Sequence, residues 1–238
     1  VNDWSQGVPL AAIQGLVAHW REGYDWRSCE ARLNAFGHFV TEIDGLDIHF
    51  LHVRSRHEHA RPLTLTHGWP GSVIEFLEAI PRLTDPEAHG AKASDAFHVV
   101  VPSLPGYGWS GKPATTGWNV QRIARGWTEL MARLGYERWF AQGGDWGAIV
   151  TAALGAQAPH GLAGIHLNMP MARPTAEDRL DDDPEVVKAL RAGRHYMDWD
   201  SGYSKIQSTR PQTIGYGLVD SPVALAACLQ VDFVSWNA

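Results

Sequence analysis

The sequence is poor in cysteine and has no excess of basic residues. Its 238 residues include two cysteines, Cys29 and Cys228, which do not suggest a disulfide framework and show no metal-ligand spacing. The formal net charge is −6, which leaves no basic patch for nucleic acid or for an anionic membrane surface. Scarce cysteine is typical of a reducing compartment, so we predict a cytoplasmic protein.

The sequence also lacks a long hydrophobic run and an N-terminal secretory signal. Membrane association is therefore not indicated, and a hydrophobic content of 45% is ordinary for a globular chain. Because the sequence begins at Val1 without a methionine, we expect the natural N-terminus to lie upstream. Four histidines crowd one region without an acid or cysteine at ligand spacing, so we predict hairpin and surface positions and no metal for His49, His52, His57 and His59.

Hydrophobic periodicity predicts alternating strands and helices. Two N-terminal helices, over 10–24 and 28–36, precede an antiparallel hairpin that turns at Asp44-Gly45. Further strands are expected at 62–67, 97–101 and 162–167, and a strand with its following elbow at 138–147, where the apolar run is 138–141. Further helices are expected at 72–83, 119–134 and 146–157. Strands joined through helices in this way predict an α/β fold with a mostly parallel sheet. The segment 84–94 is expected to be a polar loop.

After Asn168 the pattern changes from strands to helices. A loop over 170–184 contains the acidic run Asp181–Asp183, which we interpret as a solvated face. Helical segments are then expected at 185–200, 203–207 and 220–227, and no further strand is predicted before Ala238. This part of the chain therefore has the composition of a helical insertion.

The motif Gly143-Gly-Asp145-Trp-Gly147 stands between a predicted strand and a predicted helix. This small-x-acid-x-small pattern indicates a nucleophile elbow, a sharp strand-to-helix turn that presents one side chain above the sheet edge. The alternative is that Asp145 only caps the helix that begins at Trp146. A second glycine-rich turn, His67-Gly-Trp-Pro-Gly71, also follows a strand and should lie at the same carboxyl edge, which favours the elbow.

A carboxylate at an elbow suits displacement at carbon. Attack on an ester or amide would give a reactive anhydride, whereas attack on an sp³ carbon gives an ester that water can cleave. An epoxide leaving as an alkoxide needs a proton donor, and Tyr196, Tyr203 and Tyr216 are available. A halide needs only N–H donors. We interpret His67 as a residue that supports its turn by hydrogen bonds, and Trp69, Trp109 and Trp146 as pocket walls.

Together these motifs resemble the epoxide hydrolase family, in the branch that contains the microsomal and juvenile-hormone enzymes and their bacterial relatives. The similar segments are 24–53, His67–Gly71, Val101–Gly108, Gly143–Gly147 and 202–223. The resemblance implies an α/β-hydrolase fold with an N-terminal segment (1–60), a hydrolase core (61–170) and a partial helical cap (171–238). It implies addition of water to an epoxide to give a vicinal diol, without a cofactor or metal.

The resemblance also implies roles for individual residues. Asp145 would be the nucleophile and Tyr203 one of two tyrosines that protonate the epoxide oxygen, while Trp69 and Trp146 would supply backbone N–H groups to an oxyanion. The general-base histidine, its acid partner and the last core strands would lie downstream of this chain. The histidines after the elbow, which are His160, His166 and His195, are not expected to replace that base.

Three interpretations of the whole remain open at this point. The chain is expected to be part of an epoxide hydrolase that is shortened at both ends, since residues 229–238 also depart from the family pattern. It could instead be a non-catalytic remnant or binding scaffold. A haloalkane dehalogenase is the third interpretation, which the N-terminal segment and Tyr203 disfavour.

Overall fold

The computed structural model describes residues 3–179 and 182–237, and of residues 232–237 it describes the backbone only. These residues form two compact units. One unit is Trp26–Met171, and the other combines the described parts of Val1–Asp25 and Ala172–Ala238. The division into segments 1–60, 61–170 and 171–238 follows sequence resemblance rather than packing, and it stays a prediction.

A mixed six-stranded sheet forms the centre of the Trp26–Met171 unit. In chain order its strands are β1 (His38–Ile43), β2 (Leu46–Val53), β3 (Arg61–Thr66), β4 (Phe97–Pro102), β5 (Trp139–Gly143) and β6 (Leu162–Leu167). They are adjacent in the order β1-β2-β4-β3-β5-β6. The β1–β2 and β2–β4 pairs are antiparallel, whereas the β4–β3, β3–β5 and β5–β6 pairs are parallel. The predicted α/β fold, its hairpin and its parallel strands are confirmed.

The α-helices are α1 (Leu10–Glu22), α2 (Trp26–Asn34), α3 (Ala79–Thr84), α4 (Val120–Arg133), α5 (Trp146–Gln157), α6 (Pro184–His195), α7 (Gly202–Thr209), α8 (Pro211–Asp220) and α9 (Pro222–Asn237). Alternate side chains of the sheet face opposite helix layers, as the period of a strand requires. On one side Ile48 packs with Trp127 of α4 and Leu154 of α5. On the other, Leu51 packs with Ile80 of α3. Both faces are therefore covered by apolar side chains.

The helix predicted from Ser72 to Leu83 is wrong, because the segment is divided. The Ser72 hydroxyl accepts from the Ile74 N–H and caps a short 3₁₀ helix, Val73–Phe76, and α3 begins separately at Ala79. Pro81 gives the reason. In a continuous helix it would lie in the interior without an N–H to donate, whereas the first turn of α3 tolerates it. The expected polar loop 84–94 contains two further 3₁₀ turns, Pro86–His89 and Ala93–Asp95.

The second unit is helical in its described residues. The helix expected over 185–200 is present, although its last five residues, Tyr196–Asp200, form a π-helical turn. Asp183 caps α6 by accepting from the Glu185 N–H at 2.8 Å, while Asp181 lies outside the described residues. No described residue of this unit is buried. Residues 229–238, which depart from the family pattern, continue α9 as far as Asn237.

Across the described chain, none of the individual helices is both long and apolar enough to span a bilayer. Helix α8 and the first part of α9, Pro222–Val231, meet that requirement only when they are counted together, and they are bent by 118°.

Candidate active site

Asp145 lies at a strained strand-to-helix turn. It follows β5, precedes α5, and has φ 51° and ψ −126°. A positive φ on a residue other than glycine costs about 1–3 kcal/mol and persists only where the surrounding structure imposes it. Here a Cβ on Gly147 would collide with the carbonyl oxygen of Thr66, and one on Gly143 would collide with that of Gly147. The elbow geometry expected from the motif is therefore present.

The side chain of Asp145 does not cap α5. It stands at the N-cap position but makes no cap hydrogen bond. Its Oδ1 instead accepts from the backbone N–H of Trp69 at 2.8 Å. Gly68 makes this approach feasible, because a Cβ at that position would overlap Asp145 Oδ1. The alternative in which Asp145 serves as a helix cap is wrong, and the carboxylate belongs with the turn that follows β3.

His67 holds that turn through both ring nitrogens. The Leu104 N–H donates to Nε2 at 3.1 Å, so the ring proton lies on Nδ1, 3.0 Å from the carbonyl oxygen of Gly68. Burial lowers the pKa of His67, which keeps the ring neutral. Both nitrogens are thus engaged in supporting the turn, as predicted, and neither can act as a base.

Two ionisable residues near Asp145 were not identified from the sequence. Burial and the Asp145 charge raise the pKa of Tyr107 to about 12, so its hydroxyl keeps its proton. Burial and the Asp145 charge also raise the pKa of Glu75 to about 7. A Cβ on Gly71 would overlap Oε1 of Glu75, so this carboxyl lies directly on the turn. Gly71 was the sequence feature that could have indicated a close approach to this turn, but a glycine alone does not show which residue approaches it.

A cavity of about 750 Å³ lies in the same unit. It is mostly apolar and includes Glu75 and His166, together with Leu63, Leu65, Phe76, Phe97 and Phe140. None of the three tryptophans expected to be pocket walls lines it. Trp109 is half-exposed and its ring contacts those of His38 and His49, with centroids 5.6 and 5.0 Å apart. The interpretation of these tryptophans as pocket walls therefore does not apply to this cavity and stays a prediction.

His49 lies on β2 of the hairpin, as predicted, but it is 2% exposed and is therefore not a surface residue. Its Nε2 lies 2.9 Å from His38 Nδ1, and its Nδ1 lies 2.9 Å from Ser103 Oγ. The expectation of a surface residue failed because His49 shares its strand face with the buried Leu51. Among the described residues, no group of three or more histidine, cysteine, aspartate or glutamate side chains is arranged to hold a metal ion.

The remaining predicted site residues lie on several elements. Trp146 is the first residue of α5, with a half-exposed side chain. Tyr203 lies on α7 of the helical unit, where its hydroxyl is 3.3 Å from that of Tyr196. His160 and His166 are exposed in the Trp26–Met171 unit, which contains Asp145 and is called the elbow unit below. His195 is exposed in the helical unit, 3.6 Å from an Asp200 oxygen. The structure thus brings Asp145 together with Trp69, and Tyr203 with Tyr196.

Two family models match the chain. "Epoxide hydrolase N terminus" matches residues 1–76, and "alpha/beta hydrolase fold" matches residues 61–201. A Stigmatella aurantiaca protein named "Putative epoxide hydrolase" is 59% identical over 237 residues, which is 100% of this chain and 54% of that protein. The chain therefore spans about half the length of the curated relatives it matches.

Solved structures of epoxide hydrolases are also similar to this chain. The Aspergillus niger epoxide hydrolase is 35% identical, with a TM-score of 0.81 over 93% of this chain and 58% of the other. The juvenile hormone epoxide hydrolase of the silkworm Bombyx mori is also 35% identical, with a TM-score of 0.84 over 95% of this chain and 56% of the other. With its elbow, its mixed sheet and its N-terminal region, the chain belongs to the α/β-hydrolase fold family and is related within it to the epoxide hydrolases.

Proposed function

We propose that the chain carries the nucleophile of an epoxide hydrolase, which adds water to an epoxide and releases a vicinal diol. The observation that carries this proposal is a carboxylate, rather than a hydroxyl or thiol, at a strained elbow with one oxygen held by the Trp69 N–H. The names of the similar proteins support the same reaction class. An epoxide and water are the proposed reactants, and cytoplasmic location stays a prediction.

In the first step, Oδ2 of Asp145 attacks an epoxide carbon. A C–O bond forms as the bond from that carbon to the ring oxygen breaks, and the ring oxygen takes a proton. Tyr203 is the proposed donor, since a phenol beside a second phenol can share the resulting negative charge. The bond from Trp69 to Oδ1 fixes the carboxylate, so one oxygen is held while the other reacts.

In the second step, water loses a proton to a base and attacks the carbonyl carbon of the new ester. The acyl C–O bond then breaks, the alkoxide takes a proton and leaves as the diol, and the Asp145 carboxylate is regenerated. The developing oxyanion needs hydrogen-bond donors that are already in position. The Trp69 N–H meets this need because it contacts Oδ1 before the reaction begins. The Trp146 N–H is the proposed second donor, since the first N–H groups of a helix have no partner within that helix. The base that activates this water is proposed to be a histidine outside these 238 residues.

This division of the mechanism predicts that the 238-residue protein forms the ester but hydrolyses it slowly. Incubation with styrene oxide should add the mass of one epoxide, and peptide mapping should place it on Asp145. Asp145→Asn should abolish the adduct, whereas Asp47→Asn, which changes an exposed acid of the same unit, should not. Intact-mass spectrometry over time measures both.

Four outcomes would contradict this scheme. Labelling that persists in Asp145→Asn would remove the nucleophile role. Rapid diol formation without an adduct would show that a base exists within the chain. Halide release from a haloalkane, without reaction with styrene oxide, would instead identify a dehalogenase. Absence of any adduct in the folded protein would favour a binding scaffold.

A further inference from the structure

The turn between β3 and the Val73–Phe76 helix carries two carboxyl groups on two glycines. Asp145 Oδ1 occupies the space that a Cβ would fill at Gly68, and Glu75 Oε1 occupies the equivalent space at Gly71. Trp69, which follows Gly68 directly, donates its N–H to Asp145. Both carboxyl groups therefore contact the same short backbone segment, Gly68–Gly71.

The surroundings of Glu75 make its charge depend on that of Asp145. Burial and then the negative charge of Asp145 favour the neutral form of Glu75, whereas interactions with the backbone N–H groups of Gly68 and Ser72 favour the charged form. These opposing influences place its pKa at about 7. Arg61 and His166 are the other ionisable residues that line the same cavity. Removing the Asp145 charge removes one of the two causes that hold Glu75 neutral.

We propose that Glu75 is a positioning residue that exchanges charge with Asp145, being protonated while Asp145 is an anion and ionised once Asp145 becomes an ester. The effect on alkylation rests on the proposed function. The dependence of Glu75 protonation on the Asp145 charge, which we call the coupling, requires no epoxide. Alkylation converts the Asp145 carboxylate into a neutral ester, and the proton that Glu75 then releases goes to solvent. Below pH 7, where the unalkylated protein keeps Glu75 protonated, the Gly68–Ser72 backbone thus faces about one negative charge before and after alkylation, whereas above pH 7 the unalkylated protein holds two.

The coupling has a consequence for the rate of the first step. An ionised Glu75 raises the free energy of the Asp145 anion, and this repulsion is relieved as the Asp145 charge is lost in the transition state. Alkylation should therefore become faster as the pH rises through about 7, where Glu75 loses its proton. Glu75→Gln, which resembles the protonated form, should hold the rate at the low-pH level.

The coupling is tested first without any epoxide. In protein labelled with ¹³C at the glutamate carboxyl carbons, the Glu75 signal is identified by its loss in Glu75→Gln and then titrated. We expect a midpoint near pH 7 in the unmodified protein and a lower midpoint in Asp145→Asn. A midpoint that is equal in the two proteins overturns the proposal. If Asp145→Asn does not fold, the same titration on wild-type protein esterified at Asp145 gives the comparison.

The second test measures the rate of Asp145 alkylation by styrene oxide between pH 5.5 and 8.5. The rate should rise through a step in the wild type and be flat in Glu75→Gln. Glu78→Gln is the matched control, because Glu78 is exposed and pairs with Arg32 at the surface. It should keep the step, and a step retained in Glu75→Gln overturns the proposal. If no variant is alkylated, the proposed function fails while the titration still decides on the coupling.

Discussion

The two units of the chain hold their proposed reactive groups in different ways. In the elbow unit, Trp127 and Val99 are fully buried, each on one face of the sheet. The Asp145 backbone is fixed there by direct contact between Gly147 and Thr66. In the helical unit, no described side chain is buried, and Tyr203 is placed by a helix of eight residues. The nucleophile is therefore held by a core, and the proposed proton donor by local helical structure.

This difference separates stability from reactivity. Burial of apolar surface contributes roughly 25 cal/mol per Å², so the elbow unit supplies most of the hydrophobic free energy among the described residues. Substitutions in its core should unfold the protein, and the resulting loss of reactivity would follow from unfolding. Substitutions in the helical unit should change reactivity with little effect on the free energy of unfolding. Paired substitutions of the same residue type in the two units test this separation.

The largest effect is expected for Trp127→Ala. Trp127 is fully buried on α4 and donates its indole N–H to Thr66 Oγ1 at 3.1 Å. Truncation of a buried tryptophan should lower the free energy of unfolding by about 3–5 kcal/mol. The matched change is Trp199→Ala, where the residue is 75% exposed and the effect should stay within about 0.5 kcal/mol. Urea denaturation measures both free energies of unfolding. Equal losses in the two variants would contradict the conclusion that only the elbow unit has a buried core among the described residues.

The next largest effect is expected for Gly147→Ala. The new methyl group would collide with the Thr66 carbonyl oxygen, and we expect a loss of about 3 kcal/mol, at the upper end of the range for overpacking. The folded fraction should also be alkylated more slowly, because the shift displaces Asp145 from the Trp69 N–H. Thermal unfolding and intact-mass kinetics measure the two effects.

Gly193→Ala is the control for that substitution in the helical unit. Nothing lies within 4 Å of the added methyl group, and Gly193 is inside α6. Alanine is favoured over glycine in a helix by about 1 kcal/mol, so this variant should be unchanged or slightly more stable. A comparable loss of stability in both variants would show that Gly147 is not specially constrained.

The sequence predicts the sheet well because buried parallel strands are short apolar runs. β4 and β6 were expected from such runs, and the hairpin from Asp44-Gly45. The helix predicted over 72–83 is divided in the structure, because Pro81 has no N–H to donate inside a continuous helix. His49 was missed because a strand covered on both faces buries its polar positions as well as its apolar ones.

The site was predictable to the extent that one local motif defines it. The elbow follows from glycines four residues apart around Asp145, since a Cβ on Gly143 would collide with the Gly147 carbonyl oxygen within the motif itself. Glu75 was not predictable because its environment depends on the approach of residue 145, which is 70 positions away. The pairing of Tyr203 with Tyr196 was also missed, since it crosses a π-helical turn that changes the usual helical spacing.

The smallest of the three effects, and the one confined to reactivity, is expected for Tyr203→Phe. Tyr203 is not buried, so loss of its hydroxyl should leave the free energy of unfolding nearly unchanged. The alkoxide leaving group would lose its donor, and alkylation of Asp145 should slow by about 10²-fold, which corresponds to about 2.7 kcal/mol in the barrier. Tyr216→Phe is the control, since Tyr216 is 68% exposed and its hydroxyl accepts from Gln212 at 2.7 Å. Intact-mass kinetics should show full labelling rates for Tyr216→Phe. Equal alkylation rates in both variants would mean that the proton donor is another residue. A large loss of stability in Tyr203→Phe would mean that the Tyr203 hydroxyl stabilises the helical unit and that the slower alkylation follows from unfolding.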